Sequence, residues 1–149
     1  MSVERVYTRN VVGTGRSTSL EQAALLMREH HVGTLLVTED EPNENKAIGI
    51  VTDRDLVVHA MAEGIMPDEM SVQDVMTPGL ASVSAKADLH DALETMRTGG
   101  LRRLLVAGDD GQIAGIISLD DIVDALAADL SSLAGVIRSE RERESAEND

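Results

Sequence analysis

Two short stretches of the chain pair a hydroxyl residue with a carboxylate three positions later. Thr52 precedes Asp55, and Ser118 precedes Asp121. A hydroxyl with an acid at this spacing caps a helix, and the acid also complements the helix dipole. The same groups could bind a nucleotide, because a hydroxyl and nearby N–H groups suit a phosphate, while a carboxylate offers two acceptors to a ribose diol. The spacing leaves both interpretations open.

Charge and composition exclude several other kinds of site. The 149 residues include 27 Asp and Glu against 13 Lys and Arg, for a formal net charge of −14. Such a chain offers no basic surface for nucleic acid or for an anionic membrane. It contains no cysteine, which excludes disulfides, thiol catalysis and thiolate zinc sites. Its four histidines lack the spacing of a metal motif, so no metal site is predicted.

The hydropathy pattern predicts a cytoplasmic protein. No apolar run reaches the roughly 18 residues that a membrane helix needs, and the N-terminus is charged from the start. The acidic excess fits either a high-salt cytoplasm or an ordinary acidic protein, and the sequence leaves that choice open.

The sequence segments that would position these residues occur twice along the chain. Residues 2–8 (SVERVYT) return as residues 71–77 (SVQDVMT). The stretch GIVTDRD at 49–55 likewise returns as GIISLDD at 115–121. Self-similarity of this kind indicates a duplicated structural unit.

Each copy is predicted to form a strand, a helix, two further strands and a second helix. The first helices follow the capping signals Thr18-x-x-Glu21 and Asp88-x-x-Asp91, after which apolar residues recur with helical spacing. Two β-rich runs separated by turns come next, and the last helices follow the hydroxyl–acid stretches. The sequence thus predicts an α+β fold of two tandem β-α-β-β-α repeats with pseudo-two-fold symmetry. Repeat 1 spans residues 2–64, a connector spans 65–70, repeat 2 spans 71–130, and a polar acidic tail spans 131–149.

Over residues 2–130 this pattern resembles a tandem pair of cystathionine β-synthase (CBS) domains, also called a Bateman module. The resemblance is carried by SVQDVMT, by the helix pattern LxxAxxxM in both copies, by the strands VGTLLV and LRRLLV, and by GIVTDRDL and GIISLDDI. It implies a regulatory module, not an enzyme, that binds AMP, ADP, ATP, NAD or S-adenosylmethionine between the repeats and signals by a conformational change. It also implies a homodimer, with a separate effector protein unless the chain is a fragment, and no catalytic cofactor.

The resemblance assigns ligand-binding roles to particular residues. Asp55 and Asp121 would hold the ribose, beside Thr52 and Ser118. Each acid would share its cleft with adenine-reading backbone from elsewhere in the chain: Asn10, Val12, Gly33 and Thr34 for Asp121, and Ala81, Leu101, Arg102 and Arg103 for Asp55.

Three arginines are the candidate phosphate ligands, because a guanidinium fork matches a phosphate. They are Arg54, Arg102 and Arg103. Strand alternation directs Arg102 and Arg103 to opposite faces, so one of them would point inward. Gly33 and Thr34 occupy the matching positions in repeat 1, which makes the two clefts unequal. Without a usable cation, an uncharged or cationic adenosyl ligand would be favoured over AMP.

Two alternatives stand beside the sensor interpretation. One is a ligand-free dimerisation scaffold with empty clefts. The other is an NAD-linked enzyme, since Gly13 and Gly15 follow two valines and precede a predicted helix, as in a dinucleotide-binding fingerprint.

Overall fold

A computed structural model describes residues 1–40 and 46–148 of the chain, which divides into two units. The repeat-1 unit comprises Arg9–Ser82, and the repeat-2 unit comprises Met1–Thr8 together with Val83–Asp149. The sequence boundaries proposed above mark where each copy is encoded, whereas these units mark where the segments pack.

The repeat-1 unit contains a four-stranded sheet with helices beside it. Its elements are β1 Gly13–Gly15, α1 Leu20–His30, β2 Thr34–Thr38, β3 Ala47–Thr52, α2 Asp53–Leu56, α3 Val72–Val75 and β4 Thr77–Pro78. A π-helical turn over Val57–Met61 continues α2. The strand order is β1-β2-β3-β4, with β1 parallel to β2 and the other pairs antiparallel.

The repeat-2 unit repeats the same order of elements. It contains a short 3-10 helix Val3–Arg5, then β5 Ser82–Ser84, α4 Leu89–Gly99, β6 Arg103–Ala107, β7 Ile113–Ser118 and α5 Leu119–Asn148. The sheet order is β5-β6-β7, and β6 and β7 are antiparallel. The hairpins of both units shift register at equivalent points, after Val37 and after Val106. The mixed fold and the two copies of the strand-and-helix pattern are confirmed.

The core is aliphatic in both units. In α1 the buried positions are Leu20, Ala23 and Met27, and α4 buries its residues at the same spacing. In the repeat-1 unit these side chains belong to one cluster with Leu35, Val37 and Val51 of β2 and β3. Each aliphatic side chain buried in this way contributes about 1.5–3 kcal/mol to folding, so the helices and hairpins hold each other in place.

The start of α1 differs by one residue from the sequence prediction. Ser19, not Thr18, is the N-cap, and its hydroxyl accepts from the Gln22 N–H at 3.1 Å. The Thr18 hydroxyl instead accepts a hydrogen bond of 2.7 Å from Thr14 Oγ1 in β1. The residue predicted to cap the helix therefore contacts the preceding strand. At α4 Asp88 is the N-cap, as predicted, but its side chain accepts from the His90 N–H, and the described residues show no capping box with Asp91.

The segments that open the two copies pack away from the rest of their own copy. In the repeat-2 unit, the Val3 N–H donates to Ala87 O at 2.9 Å, and Thr8 exchanges backbone hydrogen bonds with Ile116. In the repeat-1 unit, the Val72 N–H donates to Thr18 O at 2.8 Å. The sequence motif at residues 2–8 therefore completes the unit of repeat 2, and its copy at 71–77 completes the unit of repeat 1.

The predicted acidic tail continues a helix. Residues 131–148 form the second half of α5. This stretch lacks proline, and seven of its residues are Glu or Arg, which have high helix propensity. The polar acidic tail is therefore helical as far as residue 148.

Candidate functional site

The hydroxyl–acid stretch of repeat 1 lies where β3 ends and α2 begins. The Asp55 N–H donates to Thr52 Oγ1 at 3.2 Å, and the Thr52 N–H donates to Asp55 Oδ2 at 2.9 Å. The two residues therefore form a reciprocal capping box. The capping interpretation is confirmed, and both side chains are half-buried.

Repeat 2 builds the same corner where β7 ends and α5 begins. The Ser118 N–H donates to Asp121 Oδ2 at 3.0 Å, and the Asp121 N–H donates to Ser118 Oγ at 3.1 Å. Both residues are again half-buried. The duplicated sequence thus produces two corners with one geometry.

Capping uses only part of each carboxylate. Oδ2 of Asp55 and of Asp121 accepts the capping bond, whereas Oδ1 of each makes no hydrogen bond with residues 1–40 or 46–148. An ionised carboxylate has about four lone-pair sites. Each acid therefore keeps acceptor capacity for further donors while it holds its helix in place.

The strand before each hairpin turn brings further predicted residues to these corners. In the repeat-1 unit, Thr34 pairs with Thr52, and the Asp53 N–H donates to Gly33 O at 3.0 Å. A Cβ on Gly33 would lie 2.9 Å from Asp53 Oδ2, so the Asp53 carboxylate lies directly beside this backbone position.

The repeat-2 unit has the same backbone contacts with different side chains. Arg103 pairs with Ser118, and the Leu119 N–H donates to Arg102 O at 2.8 Å. Arg102 thus occupies the place of Gly33, and Leu119 the place of Asp53. The repeat-2 corner therefore carries the guanidinium groups of Arg102 and Arg103 where the repeat-1 corner has Gly33 and Thr34.

The arginines at these corners are exposed. Arg102 Nη2 lies 3.5 Å from Asp120 Oδ1, but both side chains are more than two-thirds exposed, and such a pair contributes little. The guanidinium groups of Arg54 and Arg103 have no ion pair or hydrogen bond within the described part of the chain. All three cations are therefore accessible to an anion.

The remaining predicted residues are divided between the units. Asn10, Val12 and Ala81 belong to the repeat-1 unit, and Leu101 belongs to the repeat-2 unit. The Val12 carbonyl already accepts from the Leu36 N–H at 2.9 Å. In the clefts implied by the resemblance, Asp121 would meet backbone of the other unit only. Asp55 would meet Ala81 of its own unit and Leu101, Arg102 and Arg103 of the other unit. Both combinations stay predictions.

The glycines of the suspected dinucleotide fingerprint do not form a phosphate-binding turn. Gly13 and Gly15 are the ends of strand β1, whereas such a fingerprint places its glycines in the turn between strand and helix. A Cβ on Gly15 would lie 2.5 Å from Asp40 Oδ1. The close approach to Asp40 gives Gly15 a structural role, and the NAD-linked alternative loses its structural basis.

Sequence reasoning missed the role of Asp40 in this loop. The carboxylate accepts from the Ser17 hydroxyl and from the Ser17 N–H, the latter at 3.2 Å. The hydroxyl hydrogen bond is the main reason why the pKa of Asp40 lies below its ordinary value, with smaller contributions from the Ser17 N–H and the Arg16 charge. No local pattern could have revealed it, because the partners are far apart along the chain.

Sequence reasoning also missed an apolar hollow of about 570 Å³ in the repeat-1 unit. Its lining includes Leu20, Ala24 and Met27 of α1, and Leu56, Val57 and Met61 of the α2 region. Beside it Met61 is 75% exposed and Met66 is 59% exposed. Exposed apolar side chains around a hollow mark a surface suited to an apolar partner.

The described ranges lack a metal cluster and a membrane-spanning helix. Among residues 1–40 and 46–148, no three His, Asp or Glu side chains come together in a way that could hold a metal ion. Within the same ranges, no helix combines the length and apolarity needed to cross a membrane.

Comparison with known proteins identifies the family. The CBS domain family matches residues 3–61 and 72–128. An uncharacterized protein of Methanopyrus kandleri is 33% identical over 125 residues, which cover 83% of this chain and 61% of that protein, so the chain spans about three fifths of that relative. The CBS domain-containing protein YhcV of Bacillus subtilis is 31% identical over 121 residues, or 81% of this chain and 82% of YhcV.

Among solved structures, the hexameric CBS-CP12 protein from bloom-forming cyanobacteria superposes with a TM-score of 0.70 at 28% identity, covering 83% of this chain and 66% of that one. The shared fold and the two matched segments agree with the duplicated corners described above. The chain therefore belongs to the CBS domain family and contains a tandem pair of CBS domains, which is generally a regulatory module.

Proposed function

We propose that this CBS pair is a ligand-sensing regulatory module without catalytic activity, and that its ligand contains adenosine. The observation that carries the proposal is the corner that both copies share. Each corner ends a strand with a hydroxyl residue, starts a helix, and holds a half-buried carboxylate with one oxygen that no described residue uses. A fixed carboxylate of this kind can accept both hydroxyls of a ribose.

The charges favour different ligands for the two acids. The family resemblance places Arg102 and Arg103 in the cleft of Asp55, and Arg54 precedes Asp55 in the sequence. These three arginines favour an anionic nucleotide in that cleft. With Asp121 the resemblance groups Gly33 and Thr34, and Gly33 lies against the Asp53 carboxylate. That second set favours an uncharged or cationic adenosyl compound such as S-adenosylmethionine.

Signalling would follow from differential affinity. A ligand that binds one conformation of the module more tightly than another shifts the population towards it. A partner protein or a second copy of the module would then respond to that shift.

Calorimetry with AMP, ATP, NAD and S-adenosylmethionine tests the proposal. Asp55→Asn and Asp121→Asn each keep an oxygen that can cap the helix but lose the charge and an acceptor. We expect each substitution to weaken its ligand by about 1–3 kcal/mol, or roughly 5- to 150-fold. Mass spectrometry of small molecules released from the purified protein would identify a ligand outside this set.

Asp74→Asn is the matched control for the two substitutions. Asp74 closes a capping box with Ser71 at the start of α3, but it has no place in either corner, so ligand affinity should not change. Binding that is insensitive to both corner substitutions would contradict the role of the acids. If none of the four compounds binds more tightly than about 1 mM, the sensor proposal fails for them.

A ligand-free dimerisation scaffold is the second candidate function, and the apolar hollow of the repeat-1 unit favours it. The exposed Val57, Met61 and Met66 beside the hollow would lose water on self-association. The cyanobacterial relative is hexameric, which supports self-association of this chain as well. Absence of ligand binding together with a stable dimer in sedimentation would favour the scaffold over the sensor.

A further inference from the structure

Helix α5 extends well beyond the part of the chain that the family accounts for. The helix runs over Leu119–Asn148, whereas the family match ends at residue 128. Ile122 is its only buried residue in the range that the structure describes. Most of the stability of a helix in a protein comes from packing of its apolar face against other elements. The second half of α5 has no such packing within its own unit, so we expect it to pack against a partner.

An apolar line runs along the exposed side of this helix. Its members follow one another in alternating steps of four and three: Leu119, Val123, Leu126, Leu130, Leu133 and Ile137. The last five are between 45% and 67% exposed. We call these six residues the α5 seam.

The geometry of the α5 seam is that of a coiled coil. At about 100° per residue the six side chains fall within an arc of about 80°, narrower than the stripe of a helix that packs on a globular core. An apolar period of 3.5 residues lets two helices wind around each other with their seams in contact. The seam is about 27 Å long.

The surroundings of the seam argue against a membrane or a nucleic acid as the partner. The charged residues in the first half of α5 are all acidic: Asp120, Asp121, Asp124 and Asp129. A helix that lies on a membrane usually carries Lys and Arg on its polar face, and nucleic acid requires cations. A second copy of the same helix offers a matching seam, because a two-fold interface is self-complementary.

The distribution of charge sets the orientation of such a pair. In a parallel pair, Glu140, Glu144 and Glu147, which continue the seam spacing, would each face the same carboxylate of the partner. In an antiparallel pair with Leu119 opposite the partner's Ile137, Arg138 would approach the acidic first turn of the other helix, where Asp120 lies. The helix dipoles would also oppose each other, which is favourable.

We propose that α5 pairs in antiparallel orientation with α5 of a second copy through the α5 seam. This pairing does not depend on ligand binding, so the two proposals can fail separately. Three of the six seam residues, Leu119, Val123 and Leu126, lie in the matched CBS segment, and the other three lie beyond it. The seam is distinct from the apolar hollow of the repeat-1 unit.

Engineered cysteines test the pairing directly, because the chain has no cysteine of its own. In the antiparallel pair Val123 lies opposite the partner's Leu133, while the two copies of either residue lie about 15 Å apart, too far for a disulfide. Full-length Val123→Cys and Leu133→Cys proteins are prepared separately, mixed, and oxidised. The mixture should give a disulfide-linked dimer, and each protein alone should stay largely unlinked.

Controls on the opposite face of the helix make the result specific. Ala128 lies about 180° from the seam, so Ala128→Cys should not cross-link with either variant. Leu130→Glu, added to both cysteine proteins, should reduce cross-linking at least tenfold, whereas Ala128→Glu should leave it unchanged. No cross-linking in the mixture would overturn the pairing, and efficient cross-linking of either protein alone would overturn the antiparallel orientation.

Discussion

At the scale of single residues, the Ser17 hydroxyl lowers the pKa of the Asp40 carboxyl. Because its pKa is lowered in the folded chain, mainly by the Ser17 hydroxyl, this carboxylate stabilises the fold at pH values above its ordinary pKa. That contribution is lost as the pH falls through the lowered value. The loop between β1 and α1 should therefore loosen in acid.

Ser17→Ala should raise the pKa of Asp40 towards its ordinary value, because the largest cause of the shift is removed. The change can be followed by NMR titration of the Asp40 carboxyl carbon. Ser84→Ala is the control, since the Ser84 hydroxyl accepts from the Lys86 N–H and has no contact with Asp40. An unchanged Asp40 titration in Ser17→Ala would show that the hydroxyl does not hold the carboxylate.

Residue roles were predictable from the sequence where the interaction is local. Thr52 and Asp55 are three residues apart, so their spacing alone indicated a capping box, and the structure confirms it. Thr18 was wrong as a cap because Thr14, in the preceding strand, competes for its hydroxyl. The pairing of Ser17 with Asp40 could not be predicted, since only the folded sheet brings the two together.

At the scale of the elements, the ends of α1 and α4 contrast in one backbone position. Both caps adopt the left-handed conformation, with φ of 55° at His31 and 63° at Gly100. A residue with a side chain pays about 1–2 kcal/mol in that region. Glycine avoids this strain but loses about 0.5–1 kcal/mol more backbone entropy on folding.

His31→Gly should therefore stabilise the protein by up to about 1 kcal/mol in urea unfolding. His30→Gly is the matched control, because His30 is the last residue of α1, and a glycine within a helix destabilises by about 1 kcal/mol. A loss of stability in His31→Gly would mean that the His31 side chain contributes more than its backbone strain costs.

The sequence predicted elements well where a periodic pattern coincides with one buried face. The repeated L-x-x-A-x-x-x-M spacing identified both α1 and α4, whose apolar residues are buried as expected. The length of α5 was not predicted, because the polar composition after residue 130 outweighed the apolar spacing that continues to Ile137. Its seam was visible in the sequence only once the helix was known to continue.

At the scale of the whole molecule, the net charge of −14 opposes compaction. Salt reduces this repulsion, since the Debye length falls from about 10 Å at 0.1 M to about 3 Å at 1 M. The favourable ion pairs found in the described ranges involve largely exposed side chains, such as Lys86 with Asp109. Such pairs contribute little to the free energy of unfolding, so screening them by salt removes little stability.

The melting temperature should therefore rise as KCl increases from about 0.1 M to about 1 M. Thermal unfolding followed by circular dichroism would measure it, with sucrose as a control for general exclusion effects. A rise that continues at molar KCl would favour the high-salt cytoplasm over an ordinary acidic protein. A melting temperature that falls with KCl would mean that local ion pairs outweigh the overall repulsion.

The division into units could not be read from the repeats. The repeated motifs place residues 2–8 with copy 1 and 71–77 with copy 2, whereas in the folded chain each segment packs in the other unit. Sequence similarity records how the gene was duplicated, and it carries no information about which copy a segment joins.

This exchange of segments has a consequence for synthesis on the ribosome. Met1–Thr8 leaves the exit tunnel before everything it packs against, since its partners begin at Val83. The repeat-1 unit can close once Ser82 has emerged, but the opening octapeptide must wait, unpaired, while more than half of the chain is translated. Its docking then joins residues made before the repeat-1 unit to residues made after it.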